Sequence, residues 1–65
     1  MTPNQAAALI AAGWTHAVIA DYEHVQYNRG DMISKHRSHE AAEKVANRYP
    51  GNFRSVRDLR DIASA

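Results

Sequence analysis

Cysteine is absent from the 65 residues, which excludes disulfide staples and thiolate-bound metal and favours an intracellular setting over a secreted one. Long apolar runs are absent too. The longest mostly apolar stretch, Ala6 to Ala12, is about a third of the roughly 20 residues a membrane-spanning helix needs, and no basic stretch precedes it as a secretory signal would require. A soluble protein is expected. Charge of one sign is scarce: eight Lys and Arg against seven Asp and Glu leave a formal net charge of +1. The chain therefore lacks the long-range positive field of a dedicated nucleic-acid binder, and equally the negative surplus needed to mimic a phosphate backbone. It has no glycine-rich phosphate loop, no nucleophile elbow and no separated pair of buried carboxylates. A chain this short buries only about 60% of the surface its unfolded form exposes, so little interior is left for a water-excluding cleft. No enzymatic activity is expected, and a partner or a second copy has stability to contribute.

What is present reads as alternating helices and strands in a single α+β domain over residues 1–65. The firmest signature runs from Met32 to Tyr49, a strand feeding directly into a helix. Ser38 suits an N-cap, and Glu40 and Glu43 lie near the positive helix end. Ala42, Val45, Ala46 and Tyr49 recur at i, i+3, i+4 and i+7 on one stripe, and Pro50 with Gly51 ends the helix. Upstream, Thr2 with Gln5 forms a capping box, Pro3 falls at the first helical position and Gly13 at the stop, so a short helix spans Thr2 to Gly13 with Ala6, Leu9 and Ile10 on one face. Trp14 to Ala20 has strand composition, as does Tyr22 to Tyr27, as two strands or as one long strand bent by a bulge near Asp21, Glu23 and His24. Asn28-Arg29-Gly30-Asp31 is the clearest turn, and a hairpin through it pairs Tyr27 with Met32, Val25 with Ser34 and Glu23 with His36. Asn52 to Arg54 adds a short strand. Ser55 with Asp58 resembles a second capping arrangement, and the spacing of Val56, Leu59, Arg60 and Ala63 predicts a closing helix from Val56 to Ala63. The expected architecture is an antiparallel hairpin or three-stranded sheet packed against the central Ser38 to Tyr49 helix, with short N- and C-terminal helices.

The residues that carry chemistry are weighed against that frame. His16, His24, His36 and His39 are many for so small a chain. His36 falls at a strand end and His39 in the first helical turn, so a shared ion needs a third ligand from a neighbouring strand, and no metal or other cofactor is expected. Glu23 opposite His36 is a candidate pH-sensitive pair. Among the cations, Arg54 with Asp58, Arg57 with Asp61 and Glu40 with Lys44 are spaced to neutralise one another at i, i+4. The free positive charge is thereby confined to the hairpin side. Arg29, Lys35 and Arg37, with Tyr22 and Tyr27 as flat rings, form the candidate partner-binding face. Trp14 is expected in the core or at its rim.

The stretch Ile33-Ser34-Lys35-His36-Arg37-Ser38-His39-Glu40-Ala41-Ala42-Glu43-Lys44-Val45-Ala46 looks like a pattern of short bacterial and phage proteins in which a hairpin strand runs into an alanine-rich helix. In size, lack of cysteine and lack of a catalytic motif, the whole chain resembles the small phage-encoded inhibitors of host defence, of which anti-CRISPR proteins are the best known kind. That resemblance implies a cofactor-free inhibitor in the cytoplasm of the bacterial host cell, sterically blocking a host protein or nucleoprotein complex. The alternatives are a small nucleic-acid-binding module using the same basic and aromatic face, and a structural homodimer.

Overall fold

Four consecutive apolar residues, Ala17, Val18, Ile19 and Ala20, demand cover on both faces of the strand that contains them, and that strand lies at the centre of the sheet. The structure is a computed structural model that describes residues 1–48 and 50–65. Its elements are α1 (Pro3–Ala11), β1 (His16–Ala20), β2 (Met32–His36), α2 (His39–Ala46), β3 (Arg54–Asp58) and α3 (Leu59–Ala63). The three strands form one antiparallel sheet in the order β2-β1-β3. The more polar β2 and β3 occupy the edges, where one backbone side can face water.

The pleat divides β1 between two cores. Ala17 and Ile19 pack with Ala6 of α1 and Leu59 of α3, joined by Leu9, Ile10, Trp14 and Ile62. Val18 packs with Ala42 and Ala46 of α2, joined by Ile33, Val45 and Val56. The fold is α+β as expected, with α2 on one face and α1 and α3 together on the other. The N-caps of α1 and α2 follow the sequence, whereas α2 ends at Ala46 with Asn47 as its C-cap rather than at the expected Pro50–Gly51 stop. Thr2 Oγ1 accepts from Gln5 N at 3.2 Å while Gln5 Oε1 accepts from Thr2 N at 2.9 Å, and Ser38 Oγ accepts from Ala41 N at 3.1 Å. The stripe position expected for Tyr49 lies outside the described residues.

Three expectations about the chain path fail. The partner of β2 is β1, not the segment Tyr22 to Tyr27: His36 lies opposite His16, Lys35 opposite Ala17 and Ser34 opposite Val18. Burial decides this, because the apolar Ala17 to Ala20 run gains from a central position and the polar stretch after it does not. Residues 21–31 are a connecting loop whose base is closed by Gly30 N to Ala20 O (2.8 Å) and Ala20 N to Asp31 O (2.9 Å). Asn28 to Asp31 does turn, with Asp31 Oδ2 accepting from Asn28 N at 2.8 Å, but it closes the loop rather than tipping a hairpin. The register irregularity falls between Val18 and Ile19, not near Glu23, and leaves Ile33 as the extra residue that joins Val18 under α2.

The C-terminal segment is the second correction. Arg54 to Asp58 is a full strand, and the closing helix starts at Leu59, capped by Asp58, whose side chain accepts from Arg60 N, and not by Ser55. The three-residue spacing of Val56 and Leu59 arises from a chain passing from strand to helix: Val56 faces α2 and Leu59 faces α1. The ion pairs are the third. Arg57 pairs with Asp21 at 3.1 Å, Arg60 with Asp58 at 2.8 Å and His39 with Glu43 at 3.6 Å, in place of Arg54–Asp58, Arg57–Asp61 and Glu40–Lys44. Arg54 instead reaches back to the end of α2, where its guanidinium donates to the carbonyls of Ala46, Pro50 and Gly51. At Ala46 a cation thus satisfies a carbonyl that the helix leaves without a partner.

Candidate functional site

The five residues singled out from the sequence fall at opposite ends of the sheet. Lys35 and Arg37 lie towards the His36 end of β2, whereas Tyr22, Tyr27 and Arg29 belong to the loop beyond its Met32 end. The five-residue strand between them spans roughly 13 Å, in a molecule 31 Å along its longest axis.

At the first end, α1 stops in a Schellman motif. Gly13, at φ 99°, donates its N–H to Ile10 O (2.9 Å), and Trp14 N donates to Leu9 O (3.0 Å). That hydrogen-bond pattern satisfies helix-end carbonyls and folds Trp14 back over Leu9. The indole is half-buried and carries two cations, Lys35 Nζ at 5.0 Å and Arg37 Cζ at 4.4 Å from the ring centroid. Arg37 Nη1 also donates to Gly13 O at 3.3 Å. Lys35 in β2 and Arg37 just beyond its end are two residues apart, and both reach the Trp14 side of the sheet. Each exposed cation on the ring is worth about 0.5–1 kcal/mol, which steadies two long side chains without neutralising them. Among the described residues neither forms an ion pair: Asp21, Glu43 and Asp58 pair with Arg57, His39 and Arg60.

The second end is uncharged at its tip. Within the loop, His24 and Tyr27 exchange two backbone hydrogen bonds of 2.9 Å, closing a tight turn over Val25 and Gln26. Beneath it the His24 ring stacks on Phe53 at 4.1 Å and Tyr27 lies parallel at 6.4 Å. Phe53 itself is buried. Tyr27 is therefore half-buried in support of the turn, while Tyr22 is 47% exposed and donates its hydroxyl hydrogen to Asn52 Oδ1 at 2.8 Å. Val25 is 88% exposed with φ 51°. For a β-branched residue that backbone conformation costs about 1–3 kcal/mol. Val25 itself forms part of the wall of an open recess of about 290 Å³, whose other lining residues are His24, Gln26, Tyr27, Pro50 and Phe53. Arg29 stands apart, at the mouth of a larger groove of about 590 Å³ between α1 and the loop.

Three histidines gather near the first end, on the α2 side. His16 lies opposite His36, its ring is edge-on to His39 at 5.5 Å, and its Nε2 is 4.0 Å from Asp58 Oδ2. The expected Glu23–His36 pair does not form, because Glu23 is in the loop; His36 Nε2 is 2.8 Å from Ser34 Oγ instead. Among the described residues no three of His, Asp and Glu are arranged to hold a metal ion. The Arg60 guanidinium, hydrogen-bonded to both oxygens of Asp58, holds that carboxyl down to about 2 and raises the Arg60 side chain above its ordinary value. No polar or charged residue is buried among the described residues, so the groups available for contact are at the surface. No helix among the described residues is long and apolar enough to cross a membrane.

Sequence reasoning missed two members of these surfaces. Trp14 joins the cations only through the β1–β2 register, which sequence spacing left open. Val25 lacks any turn signal, since turn chemistry looks for Gly or Asn at such a position. No protein-family model, curated protein or solved structure matches the chain.

Proposed function

We propose that the protein is a non-catalytic binding protein that acts by covering part of a larger macromolecule, as a small phage-type inhibitor of a host protein or nucleoprotein complex. The contact is the Trp14, Lys35 and Arg37 surface. The observation that carries this reading is the pair of cations held on one indole, with no acid among the described residues paired to either. Such a surface is complementary to an acidic patch. Rim charges of this kind steer association and choose the partner, and tryptophan and arginine are among the residues most enriched at the energetic centres of interfaces.

The test is affinity capture from a bacterial host extract by the wild-type chain and by the variant carrying both Lys35→Glu and Arg37→Glu, with captured proteins identified by mass spectrometry. A specific partner should be retained by the wild type and lost, by about tenfold or more in affinity, from the double variant. Undiminished capture by the variant would sink the assignment of this surface. Trp14 is the chain's sole tryptophan, so its emission reports occupancy directly. The same cations could instead contact phosphates, the nucleic-acid alternative. Titration with a single-stranded oligonucleotide decides: phosphate contacts weaken along a log–log slope of about 0.7 per contact as salt rises, whereas an interface centred on a buried indole changes much less.

A further inference from the structure

The geometry points to the Val25 end as a self-complementary contact through which two copies of this chain pair about a two-fold axis. The inference is independent of the cationic surface, at the other end of the sheet. A two-fold contact needs a projection and a matching hollow on the same patch, because each copy offers the same surface to the other. Here both are present side by side. Val25 projects from a turn of two residues with 88% of its surface exposed. The recess that Val25 borders, about 290 Å³, is lined besides by Phe53, Pro50 and Tyr27, and is open enough for the branched aliphatic side chain of a second copy. The turn is held from below by the His24 ring stacked on Phe53 at 4.1 Å, so the projection is presented rigidly and little ordering remains to be done on contact.

Charge fits a second copy as the occupant. None of the residues lining the recess carries a formal charge other than through protonation of His24. The charges that flank it are of opposite sign: Glu23 on the turn and Arg54, whose guanidinium carbon is 5.2 Å from the Phe53 ring centroid. A two-fold copy thus brings no field of one sign against itself. The backbone points the same way. Val25 keeps a branched apolar side chain at a positive φ that glycine would adopt without strain, and both its exposure and its strain disfavour the isolated chain. Entry of Val25 into the partner's recess offsets both. With Tyr22, 47% exposed, in the same loop, the contact belongs to the small, weak class of interfaces.

Sedimentation equilibrium of the full chain tests this. Mass should rise with concentration from 7.2 kDa towards twice that value, reaching the dimer below about 1 mM as expected for a weak contact. Val25→Asp should raise the dissociation constant about tenfold or more, since a carboxylate cannot enter the apolar recess. Val25→Gly should weaken pairing while leaving the melting temperature equal or higher, which separates lost contact from lost fold. In a mixed sample of labelled and unlabelled chains, intermolecular NOEs should connect Val25 methyls to Phe53 and Tyr27 ring protons. Joint reversal of Lys35 and Arg37 to glutamate should leave the dimer unchanged. A mass of 7.2 kDa at every concentration, or a dimer indifferent to Val25→Asp, overturns the inference; so does a dimer abolished by the Lys35 and Arg37 reversal.

Discussion

The two ends of the sheet solve the same backbone problem with different residues. At the Trp14 end the chain must take a positive φ to leave α1, and it does so at Gly13. At the loop end it must do so again to reverse direction, and there the residue is Val25, the one non-glycine with positive φ among the described residues, although all three glycines of the chain occupy such positions. Where a turn only redirects the chain, glycine is used. Where a branched side chain is kept at a positive φ despite its strain, the side chain has a use that the isolated fold does not show. The ends also differ in what they offer: paired cations on an indole at one, an apolar tip beside an apolar hollow at the other.

The most severe way to break this contrast is to remove the scaffold the two ends share. Leu59 is fully buried between α1, β1 and α3, and Leu59→Ala should cost about 2–5 kcal/mol. A domain of this size has only about 3–10 kcal/mol in all, so urea titration should show both ends unfolding in one transition at much lower denaturant. A variant in which Trp14 emission and loop signals melted separately would show that the ends are not two parts of one unit. A finer test exchanges the residue types. Gly13→Ala should destabilise by about 1–2 kcal/mol for its left-handed backbone, and its Cβ would lie 2.6 Å from Arg37 Nη1, so Arg37 should leave the indole and Trp14 emission should shift. Val25→Gly should act with the opposite sign, gaining about 0.5–1 kcal/mol once relief of strain is set against the greater freedom of glycine in the unfolded chain. Equal signs at the two positions, measured by thermal melts, would end the contrast.

The smallest effect concerns pH. The Asp58 carboxyl is lowered from 3.8 to about 2 in the folded protein by its hydrogen bonds to Arg60. Because the folded value lies below the unfolded one, Asp58 contributes stability that is fully present above about pH 4 and is lost as pH falls through about 2. Asp58→Asn keeps a side chain that can cap α3 but removes this titration. Its stability should therefore depend less on pH between about 4 and 2 than that of the wild type, as followed by acid-induced melting.

Local chemistry was legible in the sequence and pairing was not. Thr2, Gln5, Pro3, Ser38 and the apolar Ala42, Val45 and Ala46 announce their roles through caps and helical spacing, which involve neighbours within four residues. The partner of β2 depends instead on which apolar run gains the centre of the sheet, a competition between distant segments that a turn signal at Asn28 to Asp31 does not decide. For the same reason the ion pairs expected at i, i+4 were displaced: Arg57 finds Asp21 across the sheet, a contact invisible until β3 is known to be a strand. The candidate surface suffered most, because Lys35 and Arg37 meet Trp14 only through that register, and Arg29 is carried to the other end.

The guanidinium of Arg54 has a consequence for how the molecule breathes. A helix of eight residues has too few turns to persist in water unaided, and the last carbonyl of α2, that of Ala46, is gripped by a side chain that belongs to β3. Fraying of that helix end therefore also releases a side-chain anchor of the edge strand, so the end of α2 and the start of β3 loosen together.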